Sequence, residues 1–313
     1  MKPRDILVFA VVTAGLLLLP EFYGRANYLL HILVLSGLYA IPAIGLNLML
    51  GYTGLVSLGH AALAGIGAYA VALLTVKAGL NFWLALPVAM AASAATGAVI
   101  GLLCLRLRSH FFMIVTLAFG LILHSVMNNW DAVTGGAAGF AGVPRPDPVG
   151  FAAFRTLPEF YRLTVVATAV VFAVQALLVR SQFGRVLDAI RQDEILAAFK
   201  GIDTTAYKLA VFAIGSGIAG LGGALEVSYL RVAAPSSFDM VESINLVLIV
   251  VVGGAGTLIG PILGALVFVG VPEYLRLASE YRLVIFGALL VLVTLFARRG
   301  LAGLFVPRRP KTA

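Results

Sequence analysis

The sequence predicts an all-α fold: a polytopic integral membrane protein of about ten transmembrane segments, some broken or half-length, forming a single transmembrane domain over residues 1–313. Three observations carry this. Hydrophobic residues make up 61% of the chain, charged residues 12%, and the mean hydropathy is +1.03, far outside the range of soluble proteins. Apolar runs of about 20 residues, the length that crosses a bilayer core, follow one another with brief polar interruptions. Glycine and proline interrupt some of these runs, and irregular backbone at membrane depth is tolerated only against protein or a water-filled cavity.

Complete spans are expected at 6–22, 28–50, 54–76, 81–104, 111–128, 160–180, 207–229 and 282–297. The stretch 242–275 is too short for two full spans and too interrupted, by its glycines and Pro261, for one, so it predicts two broken or half-length helices. The first span follows Lys2 and Arg4 and so resembles a signal peptide; no small-x-small cleavage site follows it, and an uncleaved span is expected. With the N-terminus inside, 14 of the 22 lysines and arginines fall in inside loops, which places both termini in the cytoplasm. Membrane orientation therefore accounts for the net charge of +8. The basic residues cap apolar runs and form no stripe with aromatics, so lipid is an expected partner and nucleic acid is not. Cys104 is the single cysteine and lies in an apolar run, so no disulfide framework or thiolate metal site forms within one chain.

The span from 51 to 70, GYTGLVSLGHAALAGIGAYA, holds five glycines and His60. Helices in lipid associate through close backbone approach and interhelical hydrogen bonds, which small residues permit. Each glycine costs about 1 kcal/mol of helix propensity relative to alanine, a penalty that packing must offset. His60 has two readings: a neutral imidazole bonded to a neighbouring helix or loop carbonyl, or a gate or substrate contact with Asn47, Thr53 and Ser57 around the break at Gly59. A second break, GGAGTLIGP at 253–261, brings Gly253, Gly254 and Gly256 into the same argument as a counterpart of the first. It is either a site of tight packing or a midplane pair of half-helix ends whose free N–H and C=O groups suit an amino acid's carboxylate and ammonium.

Two loops exceed turn length. Residues 129–159 fall outside and are rich in glycine and proline, which suits a shaped, incompletely helical surface. Residues 181–206 fall inside, where Phe183, Val186, Leu187 and Ile190 share one face of a short amphipathic helix. Asp193 or Glu194 favours the start of a second helical segment and Gly201 its end. The segment either lies in the headgroups or docks into a groove of a cytoplasmic partner, and its acids weaken the lipid reading.

Four motifs in this order, GLNLMLGYTGLVSLGHAALAGIGAYA, TGGAAGFAGVP, FGRVLDAIRQDEILAAFKGID and VVVGGAGTLIGPILGA, closely resemble the LivM-type permease subunits of branched-chain amino-acid ABC importers over about residues 40–275. The resemblance implies a permease of the cytoplasmic (inner) membrane that pairs with a sister permease, two cytoplasmic ATPase subunits and an extracytoplasmic substrate-binding protein. It further implies that 181–206 is the coupling-helix loop, with Gly184, Arg185, Asp188, Ala189, Asp193, Glu194 and Gly201 matching the family's loop motif. Departures at Leu55, Leu63 and Ala64 bear on which substrate is carried.

The chain has no G-x-x-x-x-G-K-[ST] loop, so ATP and magnesium are expected on the partner subunits and no cofactor or enzymatic activity on this one. One histidine cannot make a metal site, and no nucleophile–base pair is visible. Two other sources of transport stay open. A gradient-driven carrier places titratable groups in its spans, and Glu226, His31, His60 and His124 are the candidates. A channel wants rings of charge or carbonyls, which the glycine breaks can supply. Importers of urea or short amides have similar permeases.

Overall fold

The computed structural model describes residues 3–22, 27–105, 109–148, 153–274, 287 and 300–304. Twelve α-helices lie among them: α1 (Pro3–Phe22), α2 (Asn27–Thr53), α3 (His60–Ala72), α4 (Phe82–Cys104), α5 (Ser109–Asn129), α6 (Asp131–Thr134), α7 (Leu157–Arg180), α8 (Gln182–Gln192), α9 (Glu194–Phe199), α10 (Thr204–Leu230), α11 (Met240–Gly253) and α12 (Gly260–Tyr274). Six helical stretches among the described residues are long and apolar enough to span a membrane, with α3 continued by a π-helical turn to Lys77; α1, α11 and α12 contribute shorter apolar segments.

Burial separates an inner set from an outer one. In their apolar windows α2 and α3 bury 67% of residues and α10 78%, whereas α4, α5 and α7 bury 22–28% and leave long apolar faces free for lipid or partner helices. The inner set is held by glycine. Along α10, Gly215 meets the backbone of Gly45, Gly220 meets Ser93 of α4 and opposes Gly67 of α3, Gly222 meets Pro42, and Gly223 meets the backbone of Ala64. A Cβ at any of these positions would overlap its neighbour, so the sequence places α10 at the centre because it lacks side chains where three helices must approach.

The two ends of the bundle differ. At one, the starts of α2, α4 and α7 meet the end of α10. His31 Nδ1 lies 2.5 Å from the Tyr229 hydroxyl, and the Tyr229 ring tilts against Phe160. The loop after α5 is tied down here: Asp147 accepts through Oδ2 from the Phe82 amide (2.7 Å) and through its carbonyl from Trp83 Nε1 (2.7 Å). Lys77 Nζ donates to the Ala132 carbonyl. Two-residue strands, Phe140–Ala141 and Val232–Ala233, pair antiparallel and stitch this loop to the chain after α10. At the other end, α8 and α9 pack under the end of α2 and the start of α10, with Leu187 buried beside Tyr52 and Leu48 and Phe183 against Tyr207.

The helices agree with the expected spans except in one place. Residues 54–59, expected as the start of a span, are not helical, and α3 begins at His60. Gly54, at φ +76°, turns the chain out of helical geometry. His60 sits level with Pro42, about 22 Å along the roughly 40 Å of α2. The chain therefore climbs back about 17 Å from Thr53 in six residues, a distance that six helical residues at ~1.5 Å each do not cover and a non-helical chain does. Residues 242–275 do form two short helices, α11 and α12, as their interruptions predict. Apart from residue 287, the expected span at 282–297 lies outside the described residues.

Candidate functional site

Two helices begin within the bundle instead of at its ends. At the first, the His60 Nε2 donates to the Pro42 carbonyl at 3.1 Å. Gly59 packs on the backbone of Thr116 and Gly120 of α5, and the Leu58 amide is satisfied by Thr116 Oγ1 at 3.2 Å. At the second, Asp239 caps α11 by accepting from the Glu242 amide at 2.9 Å. The two starts touch, because the Ala61 amide donates to Ser243 Oγ at 3.1 Å. Both helix N-termini, with their positive dipole ends, thus lie about halfway along α2.

Polar side chains gather around them. Ser57 and His60 are fully buried, and Ser57 Oγ and His60 Nδ1 make no hydrogen bond. Glu242 accepts from Asn245 Nδ2 through one oxygen and has Tyr39 of α2 and Glu226 of α10 as neighbours. Glu226 is one of the acids named from the sequence; Glu242 and Tyr39 are not. The signal for Glu242 is the Asp-x-x-Glu spacing at 239–242, which marks a helix start just before the apolar run. Ionisable groups at this depth mark functional positions by default. Helix N-termini favour a carboxylate and paired acids an ammonium, so the region has groups for both ends of a zwitterion.

The second glycine break is elsewhere. Residues 254–259 turn between α11 and α12 with Gly254 at φ +121° and Gly256 at φ +78°, a backbone only glycine adopts without strain. Thr257 closes the turn, donating to the Gly254 carbonyl and accepting from the Gly260 amide. Gly253 packs directly on Gly260 and Gly264. Asn47 clamps the turn from α2: its Nδ2 donates to the Thr257 carbonyl and its Oδ1 accepts from the Gly256 amide, both at 2.9 Å. Asn47 lies about 30 Å along α2, so the turn rests near the α8 end of the bundle and not at the midplane. Gly51, from the first glycine-rich stretch, lies against the Gly256 backbone of the second. Thr53 bonds back to the Met49 carbonyl within α2.

The 181–206 segment folds as its spacing predicts. Ser181 caps α8 and accepts from the Phe183 amide; Asp193 caps α9 and accepts from the Leu196 amide at 2.9 Å. Gly201, at φ +83°, follows the end of α9. Gly184 is buried against the Val179 backbone, and Ala189 is half-buried with its carbonyl accepting from Asp193. Glu194 forms an ion pair with Lys208, whose side chain is only 7% exposed, and so anchors α9 to α10. Arg185 and Asp188 face solvent, Asp188 accepting from Gln192 Nε2. The groups most prominently presented are apolar: Ile195, Leu196 and Phe199 are 70%, 52% and 85% exposed. They belong to the run that supplies the apolar part of the second helix, but their outward direction depends on Glu194 and Ala197 facing inward. No group of three or more His, Cys, Asp or Glu among the described residues is arranged to hold a metal ion.

The family described as branched-chain amino acid transport system / permease component matches residues 28–294. The high-affinity branched-chain amino acid transport system permease protein LivM of Escherichia coli (strain K12) is 33% identical over 299 residues, covering 88% of this chain and 70% of that protein. The protein of that name in Salmonella typhimurium matches to the same extent. The ribose import permease protein RbsC of Escherichia coli (strain K12) is 26% identical over 316 residues, covering 94% of this chain and 93% of that one. No solved structure matches.

Proposed function

This chain belongs to the branched-chain amino acid transport system permease family, and we propose that it is the transmembrane permease subunit of an ABC importer for branched-chain amino acids. It forms the translocation path at an interface with a sister permease in the inner membrane, with both termini cytoplasmic. ATP and magnesium are bound by two separate cytoplasmic ATPase subunits, and an extracytoplasmic binding protein docks on the loop at 129–159. The mid-depth helix starts at His60 and Met240 offer the passing amino acid its polar contacts.

One observation supports this reading above others: the α8–α9 segment carries three exposed apolar side chains, Ile195, Leu196 and Phe199, on a support anchored to the bundle by Glu194 and Lys208. An apolar knob on a tethered base suits a groove on a moving partner. Co-purification from native membranes tests it: ATPase subunits bearing Walker motifs are the expected companions. The isolated chain in vesicles should leave solute gradients untouched, and robust uptake by it under a proton or sodium gradient would falsify the proposal. Competition for uptake among leucine, ribose and urea separates the substrate classes, with leucine expected to win; ribose is the alternative favoured by the 26% identity to ribose permeases.

A further inference from the structure

A single side chain joins the α8–α9 segment to the glycine turn. Arg191, near the end of α8, donates through Nη1 to the carbonyl of Gly51. That carbonyl belongs to the last turn of α2, where no helical N–H follows to accept from, and where the negative end of the helix dipole favours a cation. The same Nη1 lies 2.7 Å from where a Cβ would stand at Gly256, and Arg191 Cγ lies 3.9 Å from that of Gly54. Gly51 in turn presses on the Gly256 backbone. The guanidinium therefore sits where α2, the first break and the second break meet, one helical turn along α2 from Asn47, which holds the turn with two hydrogen bonds. Gly300 also rests against Gly253 and Gly254.

We propose that Arg191 is the positioning residue through which movement of α8 reaches the translocation path: seated, it keeps the 254–259 turn closed against α2, and its withdrawal frees the turn. This rests on the ABC-importer reading above. A charge-assisted bond to a carbonyl is stronger than a neutral one and directional, and its loss strands the Gly51 carbonyl and clears the guanidinium from beside Gly256. Lysine keeps the charge but not the planar fork.

The test uses the full complex in proteoliposomes, with ATP hydrolysis and uptake measured in the same vesicles. R191A should leave hydrolysis within about twofold and lower uptake per ATP by about tenfold, since coupling terms of this kind are of order 1–3 kcal/mol. R191K should fall between R191A and the parent protein. N47A, which removes the two hydrogen bonds from α2 to the turn, should uncouple in the same way, and R191A/N47A should be no worse than the stronger single change if both act through one turn. An independent readout is thiol labelling of A255C in a C104S background: an impermeant reagent should react about tenfold faster without ATP when R191A is added, as expected for a shifted two-state equilibrium. Uptake and hydrolysis falling in step, or a labelling rate indifferent to R191A, overturns the proposal. An absence of ATP-dependent uptake in the parent complex instead overturns the importer reading, so the two failures are distinguishable.

Discussion

The two glycine breaks look alike in sequence and do different work. Residues 54–59 are wedged against α5, with Gly59 on the backbone of Thr116 and Gly120, and they deliver His60 to mid-depth. Residues 254–259 are held to α2 by two hydrogen bonds from the Asn47 side chain, while Arg191 bonds the Gly51 carbonyl of α2 beside Gly256. A backbone packed on backbone is a fixed joint, because relief requires helices to part. A turn held by a few hydrogen bonds is a releasable one. Glycine content alone therefore does not identify a moving part; what opposes the glycine does.

The sharpest test of that contrast is Gly256→Val. Its positive φ and its contacts with Gly51 and Arg191 leave no room for a branched side chain, and uptake should fall by about 100-fold, a loss of roughly 3 kcal/mol in transport competence, while subunits still co-purify. Normal uptake by this variant would remove the case for a turn on the path. Next in size is Phe199→Ser, which deletes the most exposed apolar side chain. Stimulated ATP hydrolysis should drop by about tenfold if Phe199 is a buried anchor in the assembled complex, and an unchanged rate would leave the knob without a partner. Gly59→Ala should destabilise the folded protein by about 1–3 kcal/mol through overpacking against Thr116, read as a lower thermal midpoint in detergent. Uptake per folded complex should survive; a loss as deep as that of Gly256→Val would mean both breaks move. The smallest effect belongs to Trp83→Phe, which forfeits one hydrogen bond to the Asp147 carbonyl at about 1 kcal/mol and should leave uptake unaltered.

Much of this architecture is legible without coordinates, because length and hydropathy are sufficient to locate spans in lipid. The existence of α2, α4, α5, α7 and α10 follows from apolar runs, and the amphipathic α8 from its spacing. The start of α3 does not, since residues 54–59 are as apolar as a helix and only the φ of Gly54 and the contact with α5 reveal them as non-helical. Asn47 and His60 are visible as rare polar groups in apolar runs. Arg191 is not, because its partner Gly51 is 140 residues away in sequence and offers only a carbonyl. Glu194 is legible as an acid at a helix start, but its anchoring of Lys208 depends on a fold that brings α9 beside α10.

The glycine-lined α10 also reverses the usual map of mutational injury. In a core of interlocking leucines, harm comes from truncation, since each lost methylene opens a void. At Gly215, Gly220, Gly222 and Gly223 there is nothing to truncate, and one added methyl group drives apart helices that other residues hold together. The gentlest replacement in a mutagenist's repertoire, alanine, is the severe one along this helix.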